Sequence, residues 1–432
     1  MISVEEALAY VLRHFQPLEP ERVPLLESLD RVLTDDIVSD INVPPFNNSA
    51  MDGYAVIADD IANASREYPI TLPVIGDVAA GYTASRAVER GTAMRIMTGA
   101  PLPPGADAVV RFEETSEGRE SDAKDFSTAP RASTRKDAKG RESVDILKAI
   151  QRGDNVRAAG EDIRVGEVVF PKGTVVRPGE IGVMASLGRK YVSVHRRPRV
   201  AILATGDELV AIDEPITPGK IRNSNEYSNA AAVLKAGGVP VQLGIARDNI
   251  GDLTAKIRAG LDADVDLFLT SAGVSVGDYD IVKDVLNAEG EMRFWQVKMK
   301  PGKPLAFGVL RGKKPVPLLG LPGNPVSAMV SFEVFARPAI LTMLGKTKFA
   351  RPTVRAIFRE AITNDSQRRN FVRVVVEKRG EEYIARSTGE QGSGILTSVA
   401  RANGLLVVPE DVTRVRAGEM VEIQLLDESE FL

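Results

Sequence analysis

The chain has 432 residues and no cysteine. That absence excludes disulfides, thiolate catalysis and cysteine-ligated zinc or iron–sulfur centres. Histidine is nearly missing too: His14 and His195 are the only two, too few for a histidine-rich metal site. His14 falls in an amphipathic N-terminal helix and His195 beside Arg196 and Arg197, and structural or solvated roles are expected for both. Any metal chemistry therefore rests on carboxylates and a hard ion, or on ligands that a substrate brings. Charge of one sign is also lacking. The net charge of −4 and pI near 5.6 give no sign of nucleic-acid or acidic-membrane binding. The N-terminal stripe Val4, Ala7, Leu8, Val11, Leu12 and Phe15 is broken by charges and lacks the apolar core of a signal peptide. No later stretch reads as a membrane span, so a soluble, cytoplasmic protein is expected.

What is present is ordinary globular material: 44% hydrophobic residues over a length that suggests about three domains. The organising stretch runs from Asp266 to Asp280. Its first half is a short apolar run headed by one Asp, the pattern of a buried strand. Its second half is a loop in which Gly273 and Gly277 leave room for close approach to the backbone, and Ser271 and Ser275 offer hydroxyls. Successive N–H groups in such a loop form an anion-binding concavity. Asp278 and Asp280 close the stretch and suit a cation opposite those anions. A helix is expected from about Tyr279.

From Arg199 onward, strands alternate with helices: Val200–Leu203, a helix capped near Ser224-Asn225 and stopped at Gly237-Gly238, Val239–Leu243, a helix over 251–261, then 266–270. Further strands are expected near 294–297, 305–307 and 316–319. This is the pattern of a doubly wound sheet, whose ligands sit beyond the carboxyl ends of its strands. Asp207, Glu208, Asp248, Asp278 and Asp280 all follow such ends. Lys298, Lys300 and Lys303 surround the rigid turn Lys298-Met-Lys-Pro-Gly-Lys-Pro304, which suits phosphate charge. Gly320-Leu-Pro-Gly-Asn-Pro-Val-Ser327 leads into a long helix, with Asn324 at the N-cap and Pro325 in the first turn. A helix start after a glycine loop is an anion site. No Gly-Lys-Ser/Thr phosphate-loop motif occurs, which argues against an ordinary ATPase.

Elsewhere β patterns dominate. Residues 70–113 read as strands, 353–425 as a small β-barrel or sandwich. Nearly half of residues 116–143 are charged, and a mobile surface insertion is expected there. Met51-Asp-Gly-Tyr54 makes a turn that projects Asp52, Thr98 stands at the turn Thr98-Gly-Ala-Pro101, and Glu161-Asp162 offers adjacent carboxylates.

The motifs Pro-Pro-Phe-Asn-Asn-Ser-Ala-Met-Asp-Gly-Tyr-Ala, Arg-Ile-Met-Thr-Gly-Ala-Pro-Leu-Pro, Gly-Glu-Asp-Ile, Thr-Gly-Asp-Glu-Leu, Gly-Val-Ser-Val-Gly, Lys-Pro-Gly-Lys-Pro and Leu-Pro-Gly-Asn-Pro-Val-Ser occur in this order. The chain thereby resembles, over essentially its whole length, the molybdopterin molybdenumtransferase family, MoeA in bacteria and the gephyrin E domain in animals. The resemblance implies an α/β multidomain chain. A doubly wound molybdopterin-binding module (1–24 and 198–346) joins a small connecting or dimerisation domain (25–43 and 167–197). A mainly β domain (44–166) and a C-terminal β-barrel (347–432) complete it.

It further implies a homodimer that moves molybdate into adenylylated molybdopterin and releases AMP with Mg²⁺ present. A molybdopterin adenylyltransferase would act upstream, and apo-molybdoenzymes or a carrier downstream. Carried onto this sequence, the catalytic positions are Asp52, Asp162, Glu208, Asp248 and Asp280, with Asp162, Glu208 and Asp280 toward the metal. Thr98, Ser271, Gly273, Ser275, Lys300, Lys303, Pro322, Gly323, Asn324 and Pro325 would meet substrate, and Asp52 would serve the partner subunit's cleft. Three departures stand out: Ala272 where a second glycine is usual, Gln296 where some members carry lysine, and the length of the 116–143 insertion. Tungstate in place of molybdate, and a scaffold role without chemistry, stay open.

Overall fold

The computed structural model describes residues 1–117, 142–271 and 281–426, with the backbone of a short strand at Arg135–Lys136. The chain forms two compact units. One comprises Met1–Asp35, Gly173–Arg177 and Tyr191–Leu432; the other comprises Asp36–Lys172 and Pro178–Lys190.

The first unit is built on a six-stranded sheet. Its spatial order is Val239–Ala246, Arg199–Thr205, Leu267–Ser271, Pro315–Leu321, Pro304–Arg311, Gly290–Gln296. The first four strands are parallel and the last two antiparallel. Leu267, Phe268 and Leu269 are fully buried, and their side chains alternate between two cores on opposite faces of the sheet. That two-sided burial explains the continuous apolar run in place of an alternating one. Each such side chain stabilises the fold by roughly 1.5–3 kcal/mol.

The crossover helices start and stop on side-chain chemistry. Asn223, one residue before the expected cap, accepts a hydrogen bond from the Glu226 N–H at 3.2 Å, and Gly237 ends that helix at φ +95°. Asn249 caps Ile250–Asp262 by accepting from the Asp252 N–H at 2.9 Å. The N-terminal helix ends at Leu12, short of Phe15.

At the amino end of the central strand, Asp266 is 7% exposed. It accepts a forked pair of hydrogen bonds from Arg196 at 2.6 and 2.7 Å, one from the Arg199 N–H at 2.9 Å and one from Lys314 at 3.0 Å. Burial pushes this carboxyl up, but the Arg196 fork, the Arg199 N–H and Lys314 outweigh it and hold the group below the usual range. A depressed folded pKa gives stability that is fully present above the unfolded value near 3.8 and is lost as pH falls through the folded value. Asp266→Asn removes the buried carboxylate that Arg196 and Lys314 share but leaves Arg196 paired with Glu19 and Lys314 with Asp264, so urea unfolding at pH 7 is expected to show a loss of about 1–3 kcal/mol. The deficit shrinks below about pH 4.

The helix after Leu321 is long, apolar and buried. Pro325–Met343 spans 19 residues and is apolar enough to cross a membrane by length and composition. It is instead a core helix, with 72% of that apolar window buried. Val326, Phe335, Ala336, Ala339 and Ile340 are all sealed from solvent. Its middle turn, Phe332–Ala336, widens to π geometry just before Pro338, whose ring and missing N–H would break a regular turn.

The C-terminal region closes into a five-stranded barrel. The 11-residue strand Arg369–Arg379 pairs with Glu382–Ser387 on one side and Gly404–Val408 on the other. Thr353–Phe358 and Met420–Leu425 complete the ring.

The second unit carries the sheet Ala108–Arg111, Gly53–Val56, Ala93–Ile96, Ile70–Val78, Glu142–Ile146, Arg135–Lys136. The expected insertion 116–143 is narrower than its charge pattern implies. Glu117 is 4% exposed, and Glu142 and Ser143 belong to a strand on Ile70–Val78 that also pairs with Arg135–Lys136. Residues 118–134 and 137–141 lie outside the described ones.

Candidate active site at the carboxyl edge of the sheet

Strand register decides which loops share an edge. Thr205 pairs with Ala246, Ala204 with Ser271, and Ser271 with Leu321, so four parallel strands end in one row. The antiparallel strands bring a fifth loop to that row. Ala306 pairs with Gly320 and Pro304 with Gln296, which places residues 297–303 beside the end of Pro315–Leu321. Sequence order reverses between Arg199–Thr205 and Leu267–Ser271, because the chain runs from the former outward to Val239–Ala246 and then back across. Ligands of doubly wound sheets sit at this kind of switch point.

Glu208 stands on the loop at that point. Gly206, at φ +138°, makes the turn, and a Cβ there would lie 2.4 and 2.6 Å from the two Glu208 carboxylate oxygens. Glycine at 206 is therefore what lets Glu208 fold back over its own turn. Asp207 and Asp248 lock the two neighbouring loops together. The Asp207 N–H donates to the Asp248 carboxylate at 3.3 Å, and the Asp248 N–H donates to the Asp207 carboxylate at 3.2 Å. Asp248 thus braces the loop that carries Glu208. Lys220, which sequence reasoning passed over, donates to the Asp207 carbonyl at 2.5 Å. Its Thr-Pro-Gly-Lys turn carries no local signal of that contact.

The basic loop is held rigidly. The Val297 N–H donates to the Lys303 carbonyl at 2.7 Å, and the Arg369 N–H to the Lys298 carbonyl at 2.9 Å. Gly302, at φ +100°, packs so closely on the long helix that a Cβ would sit 2.7 Å from the Ser331 hydroxyl. Met299 and Pro301 are buried while Lys298, Lys300 and Lys303 face solvent. Arg368, also not anticipated, donates to the Met299 carbonyl at 3.5 Å and adds a guanidinium beside these lysines.

Pro322, Gly323, Asn324 and Pro325 form the adjoining turn and helix start. Asn324 occupies the N-cap position without a side-chain capping bond, and Pro325 is the first helical residue. Asn225 donates to the Gly323 carbonyl at 2.7 Å and ties this turn to the neighbouring helix. Ser271 is buried at the end of its strand. Gly273, Ser275 and Asp280, with Asp278, lie outside the described residues.

Asp52, Thr98 and Asp162 belong to the other unit. There Asp52 accepts from the Thr98 N–H at 2.7 Å and from the Thr98 hydroxyl at 2.9 Å. Gly53 makes this turn possible, since a Cβ would fall 1.9 Å from the Val110 carbonyl oxygen of the neighbouring strand. Asp162 is exposed on a loop whose backbone is pinned by two asparagines. Asn47 accepts from the Ala159 N–H at 2.8 Å and Asn42 from the Val165 N–H at 3.0 Å. Asn48-Ser49 pairs with Val156-Arg157, so the loops bearing Asp52, Thr98 and Asp162 share one side of this unit.

Among the described residues no three acidic or histidine side chains cluster as a ready-made metal cage. The donors on offer are hard oxygens. His14 and His195 each bond a main-chain carbonyl, Tyr10 and Leu18 respectively. Mg²⁺, held by one or two carboxylates together with substrate phosphates, fits such a donor set better than a soft metal does.

Fold and site define a molybdopterin-binding class of α/β protein: residues 201–342 match the family model described as probable molybdopterin binding domain. Residues 2–188 match the MoeA N-terminal region (domain I and II) and 355–426 the MoeA C-terminal region (domain IV). Molybdopterin molybdenumtransferase 2 of Mycobacterium tuberculosis is 37% identical over 98% of this chain and 99% of its own. The molybdopterin molybdenumtransferase of Bacillus subtilis is 36% identical over 99% and 94%. The crystal structure of the molybdopterin biosynthesis MoeA protein of Pyrococcus horikoshii superimposes with a TM-score of 0.77 at 31% identity, covering 98% of this chain and all of that one. The chain belongs to the MoeA family of molybdopterin molybdenumtransferases.

Proposed function

We propose that the chain transfers molybdenum from molybdate into adenylylated molybdopterin, with release of AMP, as the last step of molybdenum cofactor biosynthesis. The observation that carries this reading is the meeting of a carboxylate loop, a lysine loop and a helix start along one sheet edge. Both substrates are oxyanions. Lys300 and Lys303 neutralise phosphate and molybdate charge, and the backbone start of Pro325–Met343 offers N–H donors to the same charge. Sulfur ligands for molybdenum come from the pterin dithiolene, which suits a chain without cysteine.

Glu208, Asp162 and Asp280 would hold Mg²⁺ against the pyrophosphate linkage, where the ion neutralises charge on the departing AMP. Asp248 keeps the Glu208 loop in place through Asp207. We assign Ser271, Gly273 and Ser275 to the pterin phosphate, together with the turn Pro322-Gly323-Asn324 at the start of the long helix. The assembly is a cytoplasmic homodimer in which the Asp52–Thr98 turn serves the partner subunit's cleft. A molybdopterin adenylyltransferase supplies the substrate, and apo-molybdoenzymes or a carrier take the product.

Chelation tests the metal assignment. EDTA is expected to suppress AMP release from adenylylated molybdopterin, and excess Mg²⁺ to restore it. Undiminished release in EDTA would remove Mg²⁺ from this account.

A further inference from the structure

The strand Val239–Ala246 holds one residue more than its neighbour Arg199–Thr205 needs. Ile202 pairs with Gln242 and Ala204 with Ile245, two steps along one strand against three along the other. The surplus is a bulge at Leu243-Gly244, with Gly244 at φ +75°. Side chains alternate along a strand, so a bulge changes which residues beyond it stand opposite which. Pairing resumes at Thr205 with Ala246, and Asp207 and Asp248, each two residues further on, reach one another's N–H groups. Without the extra residue Asp248 would fall out of step with Asp207.

Two charged side chains meet the bulge from opposite faces of the sheet. Lys256 donates to the Leu243 carbonyl at 2.7 Å, and the Gly244 N–H donates to the Glu226 carboxylate at 3.1 Å. Lys256 lies on the helix Ile250–Asp262, whose Leu253 and Ile257 pack in one core. Glu226 lies on Ser224–Ala236, whose Ala230 and Val233 pack in the other. Glu226 is 5% exposed, and a buried carboxylate is costly unless its oxygens are bonded. Its second oxygen accepts from the Asn223 side-chain amide at 2.6 Å, while the Asn223 oxygen accepts from the Glu226 N–H at 3.2 Å. Asn223 leads back to the catalytic loop: its N–H donates to the Val210 carbonyl at 3.0 Å, two residues beyond Glu208. Arg247 closes the ring by donating to the Leu209 carbonyl at 3.0 Å. One buried carboxylate thus ties together both segments that hold Glu208.

We propose that Glu226 is a positioning residue for the transfer reaction, clamping the bulge to the segment Leu209–Val210 so that Glu208 stays where Mg²⁺ needs it; the role rests on the reading of Glu208 as a metal-holding group. Glu226 acts through Asn223 on one side and through Gly244, Asp248 and Asp207 on the other. Lys256 steadies the same bulge from the opposite face.

Glu226→Gln in the intact protein tests the clamp, because a side-chain amide cannot accept from Asn223 and from Gly244 at once. Two readouts are expected to move. Amide hydrogen exchange over residues 206–210 and 244–249 quickens in the metal-free protein. AMP release falls by about tenfold or more and needs more Mg²⁺ for half-maximal rate, since small misplacements of a reacting group cost rate steeply. Lys256→Met should move both readouts in the same direction. The paired variant Asn223→Asp, Glu226→Gln exchanges the two groups: the new carboxylate accepts from the new amide, whose oxygen accepts from Gly244. It is expected to return both readouts to near the parent. Asp266→Asn, which loosens the far end of the same sheet, should move neither. The proposal is overturned if Glu226→Gln and Lys256→Met keep parental exchange and Mg²⁺ dependence while Glu208→Gln is inactive. It is also overturned if the paired variant melts like the parent yet stays impaired, or if Asp266→Asn reproduces the defect. A fully active Glu208→Gln removes the metal reading itself, and the clamp's role with it.

Discussion

Glu208→Gln and Asp162→Asn are each expected to lower molybdate-dependent AMP release by on the order of 100-fold or more, a loss of about 3 kcal/mol of transition-state stabilisation. Both substitutions keep side-chain size and remove only the ionic oxygen that a divalent cation needs. Both residues are exposed. The Glu208 backbone is held independently, through the Ile221 N–H bond to its carbonyl at 2.8 Å and the Asp207–Asp248 lock beneath it. Stability should therefore stay within about 0.5 kcal/mol of the parent. Loss of activity without loss of fold separates a metal-holding role from a bracing role. Asp248→Asn makes the contrast: it weakens the acceptor for the Asp207 N–H and should cost some stability along with activity. Mixed dimers carry the test to the subunit arrangement. If Asp52 serves the partner's cleft, combining Asp52→Asn subunits with Glu208→Gln subunits restores one functional cleft per heterodimer, whereas a cleft built within one chain gives no recovery.

The second large effect belongs to the lysine loop. Replacing Lys300 and Lys303 together by Gln is expected to reduce kcat/KM for AMP release by at least 100-fold, since each charged hydrogen bond to an oxyanion is worth about 1.5–3 kcal/mol. The loop itself should survive, because its shape is set by the Val297–Lys303 and Lys298–Arg369 backbone bonds and by buried Met299 and Pro301. The molybdate dependence carries the information. A rise in the molybdate concentration needed for half-maximal rate marks lysines that contact the oxyanion. An unchanged requirement with a lower plateau marks lysines that act only on the phosphates. Unaltered kinetics in the double variant would remove the loop from the site.

Much of this arrangement was legible in the sequence because it rests on local signals. Buried runs such as Leu267–Ser271 are too apolar and too short for anything but an inner strand, and strand–helix alternation then fixes which loops share an edge. The ordered motifs added the family, and the full-length relatives bear that out. What was not legible depends on residues far apart in the chain. Asp52 and Thr98 bond across 46 positions, and Asp207 and Asp248 across 41. Neither partner advertises the other. The barrel closes only because Arg369–Arg379 reaches Gly404–Val408, a pairing with no local trace. Glu117 and Ser143 illustrate the opposite failure. Their charged, polar surroundings read as a solvated insertion, yet tertiary packing overrides the composition.

The most direct measurement of the central claim is AMP release from adenylylated molybdopterin with Mg²⁺, run with molybdate, with tungstate and without either. The account predicts release stimulated by molybdate, with a product that reconstitutes an apo-molybdoenzyme. No release with either oxyanion would contradict it and leave a binding scaffold as the better description.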